Sequence, residues 1–288
     1  MNEITLGGHI LPANFMNAAC SIAKTPEDIA ALCATKAGAV VIGSITPLPR
    51  EGNPEPRWYS GNGFALNSFG MPNGGIEYYQ NELLNMTTAI REAGKVSILS
   101  IAGFSEPDYA SLASLANENG VDLIEVNLGC PNVQIDGKQK AIASFDPDYM
   151  YKILGGITAS TSLPLLVKLS PYSNPADLQA AATVITETPQ VIAVVTSNTF
   201  PNGYALANDK PVLNVGLGGV SGPSLKAIAM GQVRQFRSIL PHTVAVIGVG
   251  GIESVNDVND YILAGASAVQ AATLIVRDGH AALDRLAI

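Results

Sequence analysis

Charge is scarce in this 288-residue chain, and most of it has one sign. Only 14% of the residues are charged, and 24 acidic residues against 16 basic ones give a formal net charge of −8. Such a chain cannot neutralise nucleic-acid phosphates over a broad face, so we expect no nucleic-acid partner. Disorder is also excluded, because it needs high charge and few apolar residues, whereas 47% of this chain is hydrophobic.

Residues that bind metals or form disulfides are few as well. The chain has three histidines and three cysteines (Cys20, Cys33 and Cys130), and no two cysteines form a Cys-x-x-Cys pair. We therefore expect no metal site, and the odd number of cysteines predicts a reducing, cytoplasmic compartment. The apolar runs are far shorter than the roughly 20 residues that span a bilayer, and the first residues lack a signal-peptide pattern. We expect no membrane segment.

Short apolar runs alternate with helical patterns along the whole chain. Several runs are continuously apolar, such as 39–42 and 191–195, which is typical of parallel strands buried on both faces. The predicted strands are 15–19, 39–43, 96–101, 123–127, 165–169, 192–196, 244–248 and 268–271. The predicted helices are 26–35, 75–93, 106–119, 147–160, 175–186, 223–239, 254–263 and 279–286. Eight strand–helix pairs predict one domain over residues 1–288, a single (β/α)8 TIM barrel; the alternative is an open doubly wound sheet.

Amide side chains follow three of the predicted strands, at the face where barrel enzymes carry their sites. These segments are 67–73, 127–132 and 197–199. Amides can recognise a planar ring with amide-like donors and acceptors, and the lone thiol of Cys130 could act as a base once deprotonated. Each segment alone could be a turn that binds no ligand. Three amide-containing segments at the same barrel mouth, however, favour a binding site.

The later strands end in residues that suit an anionic cofactor. Lys168 ends an apolar strand, where a buried lysine is costly unless paired; the alternative is a lysine that reaches out to solvent. Gly250, Gly251 and Thr273 follow the seventh and eighth strands, the usual phosphate site of a barrel enzyme. The glycines could instead only make tight turns, and Trp58 could either pack within its loop or cover a ligand.

Four segments carry a resemblance to a known family. They are Arg50-Glu51-Gly52-Asn53-Pro54-Glu55-Pro56-Arg57, Asn67-Ser68-Phe69-Gly70-Met71-Pro72-Asn73, Asn127 to Asn132, and Gly248-Val249-Gly250-Gly251-Ile252-Glu253. The chain resembles the class-1 dihydroorotate dehydrogenases, and the second segment resembles their homodimeric, fumarate-using branch. The resemblance implies FMN-dependent oxidation of (S)-dihydroorotate to orotate in pyrimidine biosynthesis, with fumarate as the electron acceptor and a homodimer as the assembly.

The resemblance also implies roles for individual residues. Cys130 would remove the C5 proton of dihydroorotate while a hydride passes from C6 to flavin N5, and Lys168 would stabilise the negative charge of the reduced ring. The implied substrate contacts are Asn67, Phe69, Gly70, Met71, Asn127, Asn132, Asn198 and Thr199. The implied FMN contacts are Ala19, Cys20, Ser44, Asn127, Lys168, Gly222, Gly250, Gly251, Ala272 and Thr273.

Two departures from the family pattern concern the substrate. The family has a lysine that touches the flavin and the substrate carboxylate where this chain has Gly43, and loop 133–138 replaces a Pro-Gly-Lys-Pro turn. Losing the cation should weaken carboxylate binding. An alternative is therefore an FMN oxidoreductase for an uncarboxylated pyrimidine-like substrate, for which Gly43→Lys should add dihydroorotate turnover. A non-catalytic flavin-binding paralogue and a flavin-free isomerase or aldolase are further alternatives.

Overall fold

A computed structural model describes residues 3–132, 134–135 and 138–287, with only the backbone of 134, 135 and 138. Eight parallel strands close into a barrel in chain order, and the eighth pairs with the first. In that order the barrel strands are Phe15–Asn17, Ala39–Ile45, Val96–Ile101, Leu123–Asn127, Leu165–Lys168, Val191–Val195, Ala245–Val249 and Ala268–Ala271. The predicted TIM barrel is confirmed, and the open doubly wound sheet is wrong.

Helices follow the barrel strands and cover the outside of the barrel. They are α1 (Pro26–Cys33), α2 (Gly75–Glu92), α3 (Glu106–Glu118), α4 (Pro147–Thr158), α5 (Pro175–Thr186), α6 (Lys226–Ile239), α7 (Val255–Ala264) and α8 (Thr273–Asp278). Helices α1, α3 and α7 each begin with a Ser or Thr that caps the first turn and an Asp three residues later that returns the bond. This reciprocal capping satisfies N–H groups that a helix start leaves without partners.

The end of the chain differs from the prediction. No α-helix covers 279–286, because α8 already ends at Asp278 and His280–Leu286 is a 3₁₀ helix. The reason is Gly279, whose φ of +85° breaks the helical path between the two elements. The predicted helix 223–239 also starts as a 3₁₀ turn, Pro223–Leu225, before α6.

Two insertions pair with each other over the mouth of the barrel. The loop after the second strand contains strands Trp58–Ser60 and Ala65–Asn67, and the loop after the sixth contains Phe200–Gly203 and Gly218–Ser221. These four strands form one antiparallel sheet. The described residues also form three hairpins whose strands are two or three residues long. They pair Ile4–Leu6 with His9–Leu11, Gln134–Ile135 with Lys138–Gln139, and Leu206–Ala207 with Lys210–Pro211. A further 3₁₀ turn is Ala143–Phe145.

The barrel interior is apolar at one end and polar at the other. At the closed end, Leu6 and Leu11 of the first hairpin pack with Met16, Val41 and Leu166 inside the barrel. At the open end, the inward side chains are acids, amides, hydroxyls and a lysine. A polar interior at the carboxyl ends of barrel strands is where an active site is expected. In the ranges that the structure describes, no helix has the length and apolar character of a membrane span.

Candidate active site

A concave cleft opens at the polar mouth of the barrel. Clefts at the carboxyl ends of barrel strands are where this fold binds small molecules. The predicted site residues that line it are Ala19, Cys20, Asn67, Phe69, Lys168, Asn198, Thr199, Gly222, Gly250, Gly251, Ala272 and Thr273. Trp58, which the sequence left open, also lines the cleft and stacks on Phe69 with ring centroids 5.9 Å apart.

The other predicted site residues lie beside this cleft. Met71, Asn127 and Cys130 line a smaller pocket, and Asn132 lines another next to Ser68. A hydrogen bond of 2.9 Å from Asn132 Nδ2 to Asn67 Oδ1 joins the second of these pockets to the cleft, and one of 3.4 Å from Asn198 Nδ2 to Asn127 Oδ1 joins the first. Gly70 and Ser44 line neither the cleft nor these two pockets. The carbonyl of Gly70 accepts a hydrogen bond from Arg50 Nε, and Ser44 Oγ accepts one from Asn127 Nδ2.

Lys168 is held at the floor of the cleft by a buried acid. Its Nζ lies 3.4 Å from Glu125 Oε1 and 3.3 Å from Gln270 Oε1, and both partners are fully buried. Gln270 Nε2 and Ser100 Oγ donate to the two oxygens of Glu125 at 2.8 and 3.1 Å. A buried ion pair needs such extra hydrogen bonds to offset the loss of hydration. Lys168 is therefore fixed in position before any ligand binds.

Hydrogen bonds continue from this ion pair to the amides of the fourth and sixth strands. Ser100 Oγ lies 2.8 Å from Ser44 Oγ, which accepts a bond of 2.8 Å from Asn127 Nδ2. Asn127 Oδ1 in turn accepts from Asn198 Nδ2 at 3.4 Å. The lysine on one side of the mouth and the amides on the other thus belong to one polar network, which restricts the orientation of each side chain.

The opposite end of the cleft is a glycine cradle. Gly222, Gly250 and Gly251 have φ values of +77°, +130° and +66°, and a Cβ on Gly251 would lie 2.8 Å from the carbonyl oxygen of Gly222. Only glycine allows such close approach without strain. The hydroxyls of Ser221 and Thr199 are buried, line this cleft and have no hydrogen-bond partner among the described residues. These hydroxyls are available to a polar ligand.

Cys130 lies in a largely apolar pocket with Met71, Ala102 and Phe104. Burial raises the pKa of its thiol above the ordinary value, and the backbone of Asn132 only partly opposes this shift. Without a ligand, the thiol therefore holds its proton more tightly than a free cysteine does.

The loop after the second strand presents unpaired backbone donors. Gly70 and Met71 are buried and have left-handed φ values of +72° and +58°. The N–H groups of Phe69, Gly70 and Met71 donate no hydrogen bond within the described part of the chain. Successive N–H groups in such a turn form a concavity that suits an anion.

Gly43 has no room for a side chain. Its φ is +109°, and a Cβ would lie 2.6 Å from the carbonyl oxygen of Ser100 and 2.8 Å from the amide nitrogen of Ile45. The expected gain of turnover from Gly43→Lys therefore does not follow, because the backbone itself would have to move first. The second departure, 133–138, lies largely outside the described residues.

Sequence reasoning missed the partners that hold Lys168. Glu125 and Gln270 each interrupt an apolar strand, Leu-Ile-Glu-Val-Asn and Ala-Val-Gln-Ala. The same argument that singled out Lys168, a costly polar group in a buried strand, applies to both. Their contact with Lys168 was not predictable, since it joins the fourth, fifth and eighth strands across the barrel.

Known proteins resemble this chain over nearly its whole length. The family model for dihydroorotate dehydrogenase matches residues 1–287. The dihydroorotate dehydrogenase (fumarate) of Trypanosoma cruzi is 34% identical over 293 residues, covering 99% of this chain and 90% of that protein. The enzyme of the same name from Saccharomyces cerevisiae is 35% identical over 278 residues, covering 94% and 86%.

A solved structure supports the fold. Dihydroorotate dehydrogenase from Eimeria tenella, in complex with ferulenol, superposes with a TM-score of 0.82 at 22% identity, covering 99% of this chain and 82% of that one. At that identity the likeness concerns the fold alone, whereas the family model and the two relatives span nearly the whole sequence. The chain therefore belongs to the dihydroorotate dehydrogenase family of oxidoreductases.

Proposed function

We propose that this protein oxidises (S)-dihydroorotate to orotate and that its cofactor is FMN. The observation that carries the proposal is the single polar network at the barrel mouth, which joins a fixed lysine to a cluster of amides beside a thiol. A glycine cradle lies at the other end of the same cleft. A flavin-free isomerase or aldolase would use the cradle but leaves the thiol and amide cluster without a purpose.

The residues of the cleft fit FMN on chemical grounds. Gly222, Gly250 and Gly251 leave room for a phosphate, and the unpaired hydroxyl of Ser221 could donate to it. Lys168 would place its positive charge at the flavin ring, where reduction increases negative charge. Bound FMN would supply a two-electron acceptor for the hydride that leaves C6 of the substrate.

The chain's own groups would bind the pyrimidine and move one proton. Asn67, Asn127, Asn132 and Asn198 would hold the edges of the ring, since each amide offers both donors and an acceptor. Cys130 would take the proton from C5, and its raised pKa favours keeping that proton once transferred. The apolar side chains packed around Cys130 would limit the access of water to this proton transfer.

Fumarate as electron acceptor is proposed from the names of the relatives, and homodimerisation and a cytoplasmic location remain predictions. Three apolar side chains of the insertion after the sixth strand are about half exposed: Tyr204, Leu206 and Leu217. These side chains are the candidates for a contact with a second copy.

The test is an anaerobic titration of the FMN-loaded protein with dihydroorotate, followed by the yellow flavin absorbance. We expect stoichiometric loss of the absorbance and formation of orotate. A protein that binds FMN and stays yellow would contradict the proposed substrate. Reduction by dihydrouracil, which has no carboxylate, would instead favour the alternative of an uncarboxylated substrate.

A further inference from the structure

Lys24 is a buried cation without an acidic partner. It lies in the loop between the first strand and α1, its side chain is only 8% exposed, and Nζ donates a hydrogen bond of 2.6 Å to the carbonyl of Pro72. No carboxylate pairs with this ammonium in the described part of the chain. A backbone carbonyl alone does not offset the cost of burying a charge.

The position of Lys24 adds to this cost. It directly precedes Thr25, the residue that caps the N-terminus of α1, and a cation there opposes the helix dipole. The carboxylate of Asp28 is occupied by the cap, where it accepts from the backbone N–H groups of Lys24 and Thr25 at 3.1 and 3.2 Å. Burial lowers the pKa of Lys24 to about 8, with Cys20, Cys130, Arg57 and Asp28 as the other charged or titratable neighbours.

The ammonium points at the loop with the free backbone donors. Its acceptor, Pro72, directly follows Phe69, Gly70 and Met71, whose N–H groups have no acceptor among the described residues. An anion in this concavity would meet three N–H groups and one ammonium. Such charge-assisted hydrogen bonds are the stronger kind, and Cys130, the proposed base, packs against Met71 at the same place.

The other cations of the mouth either pair with a carboxylate or are less deeply buried than Lys24. Lys168 is paired with Glu125, and Arg50 and Lys140 lie over the ring of Phe104 at 5.1 and 4.9 Å from its centroid. Gly43 offers no charge and accepts no side chain. Lys24 is thus the most deeply buried positive charge of this region for which the described residues offer no carboxylate.

We propose that Lys24 binds the carboxylate of the substrate at the loop of residues 69–71, which the family resemblance already implies as substrate contacts. This inference rests on the proposed function and deepens it: the cation that the family carries at position 43 is supplied here from the loop after the first strand. This contact would favour a carboxylated pyrimidine over an uncarboxylated one, because an uncharged ligand would leave the charge of Lys24 unpaired.

The experiment compares Lys24→Met with Lys95→Met in the FMN-loaded protein. Lys95 is a matched control, since its partly buried Nζ also bonds only to backbone carbonyls, those of Thr35 and Ala37, at the closed end of the barrel. The dissociation constants of orotate and uracil are measured from the perturbation of the flavin absorbance. For Lys24→Met we expect orotate to bind at least about tenfold more weakly, as for loss of one charged hydrogen bond. Uracil binding should stay within about twofold, and Lys95→Met should change neither constant.

Each other outcome has a definite meaning. Unchanged orotate affinity in Lys24→Met, or equal weakening of orotate and uracil, overturns the role of Lys24 while the proposed function stands. A wild-type protein that neither binds orotate nor is reduced by dihydroorotate overturns both. If Lys24→Met does not retain FMN, Lys24→Gln, which keeps a polar group, is measured against the same expectations.

Discussion

Two buried lysines occupy the two halves of the barrel mouth, and the protein compensates their charges differently. Lys168, 3% exposed, ends the fifth strand and pairs with Glu125 inside the barrel. Lys24, 8% exposed, lies on a loop, and among the described residues its ammonium bonds only to a backbone carbonyl. The charge of Lys168 is balanced within the fold. The charge of Lys24 is left for a ligand. The flavin half of the site is thus preorganised by the strands, while the substrate half depends on loops and on the substrate itself.

The largest expected effect comes from breaking the internal pair. Glu125→Gln leaves Lys168 buried without a counter-charge, which should cost about 3–5 kcal/mol of unfolding free energy. Lys24→Met should lose no more than about 1 kcal/mol, the value of one hydrogen bond, because it removes an unpaired charge. Urea unfolding of the FMN-free variants compares the two. Equal losses would show that the lysines are not compensated differently.

The next effect separates the proposed base from the groups that only bind. Cys130→Ala should keep FMN bound and slow flavin reduction by dihydroorotate about 10²-fold or more, as for loss of a general base. Stopped-flow absorbance under anaerobic conditions measures this rate. Because burial raises the pKa of Cys130 above the ordinary value of a thiol, the wild-type rate should rise with pH as this thiol deprotonates. A variant as fast as the wild type would remove Cys130 from the mechanism.

The smallest effect is a pH dependence that only Lys24 should produce. Since burial lowers its pKa to about 8, Lys24 is charged below that pH and loses its charge above it. Orotate binds the charged form of Lys24, so its affinity should follow the charged fraction. It should therefore fall by up to about tenfold per pH unit above pH 8. Uracil affinity serves as the internal control. A parallel fall in Lys24→Met would assign the dependence to another group, such as Cys20 or Cys130.

The sequence by itself determined the barrel and most of the groups around its mouth. Continuous apolar runs such as 191–195 are typical of strands buried on both faces, and eight predicted strands with helices between them favour a TIM barrel. The amides, the thiol and Lys168 were found because strand ends converge in such a fold. The pairing of Lys168 with Glu125 and Gln270 joins residues up to 145 positions apart, so no local pattern carries it.

Only the tertiary structure decided how charge is distributed in the substrate half. In the sequence, the glycine at position 43 is simply a missing cation, and Lys24 is one polar residue before a helix. Folding closes the space at Gly43 and buries Lys24 against the loop that carries the free N–H groups. The physical reason is that burial, and with it the cost of an unpaired charge, depends on elements that meet only when the barrel closes.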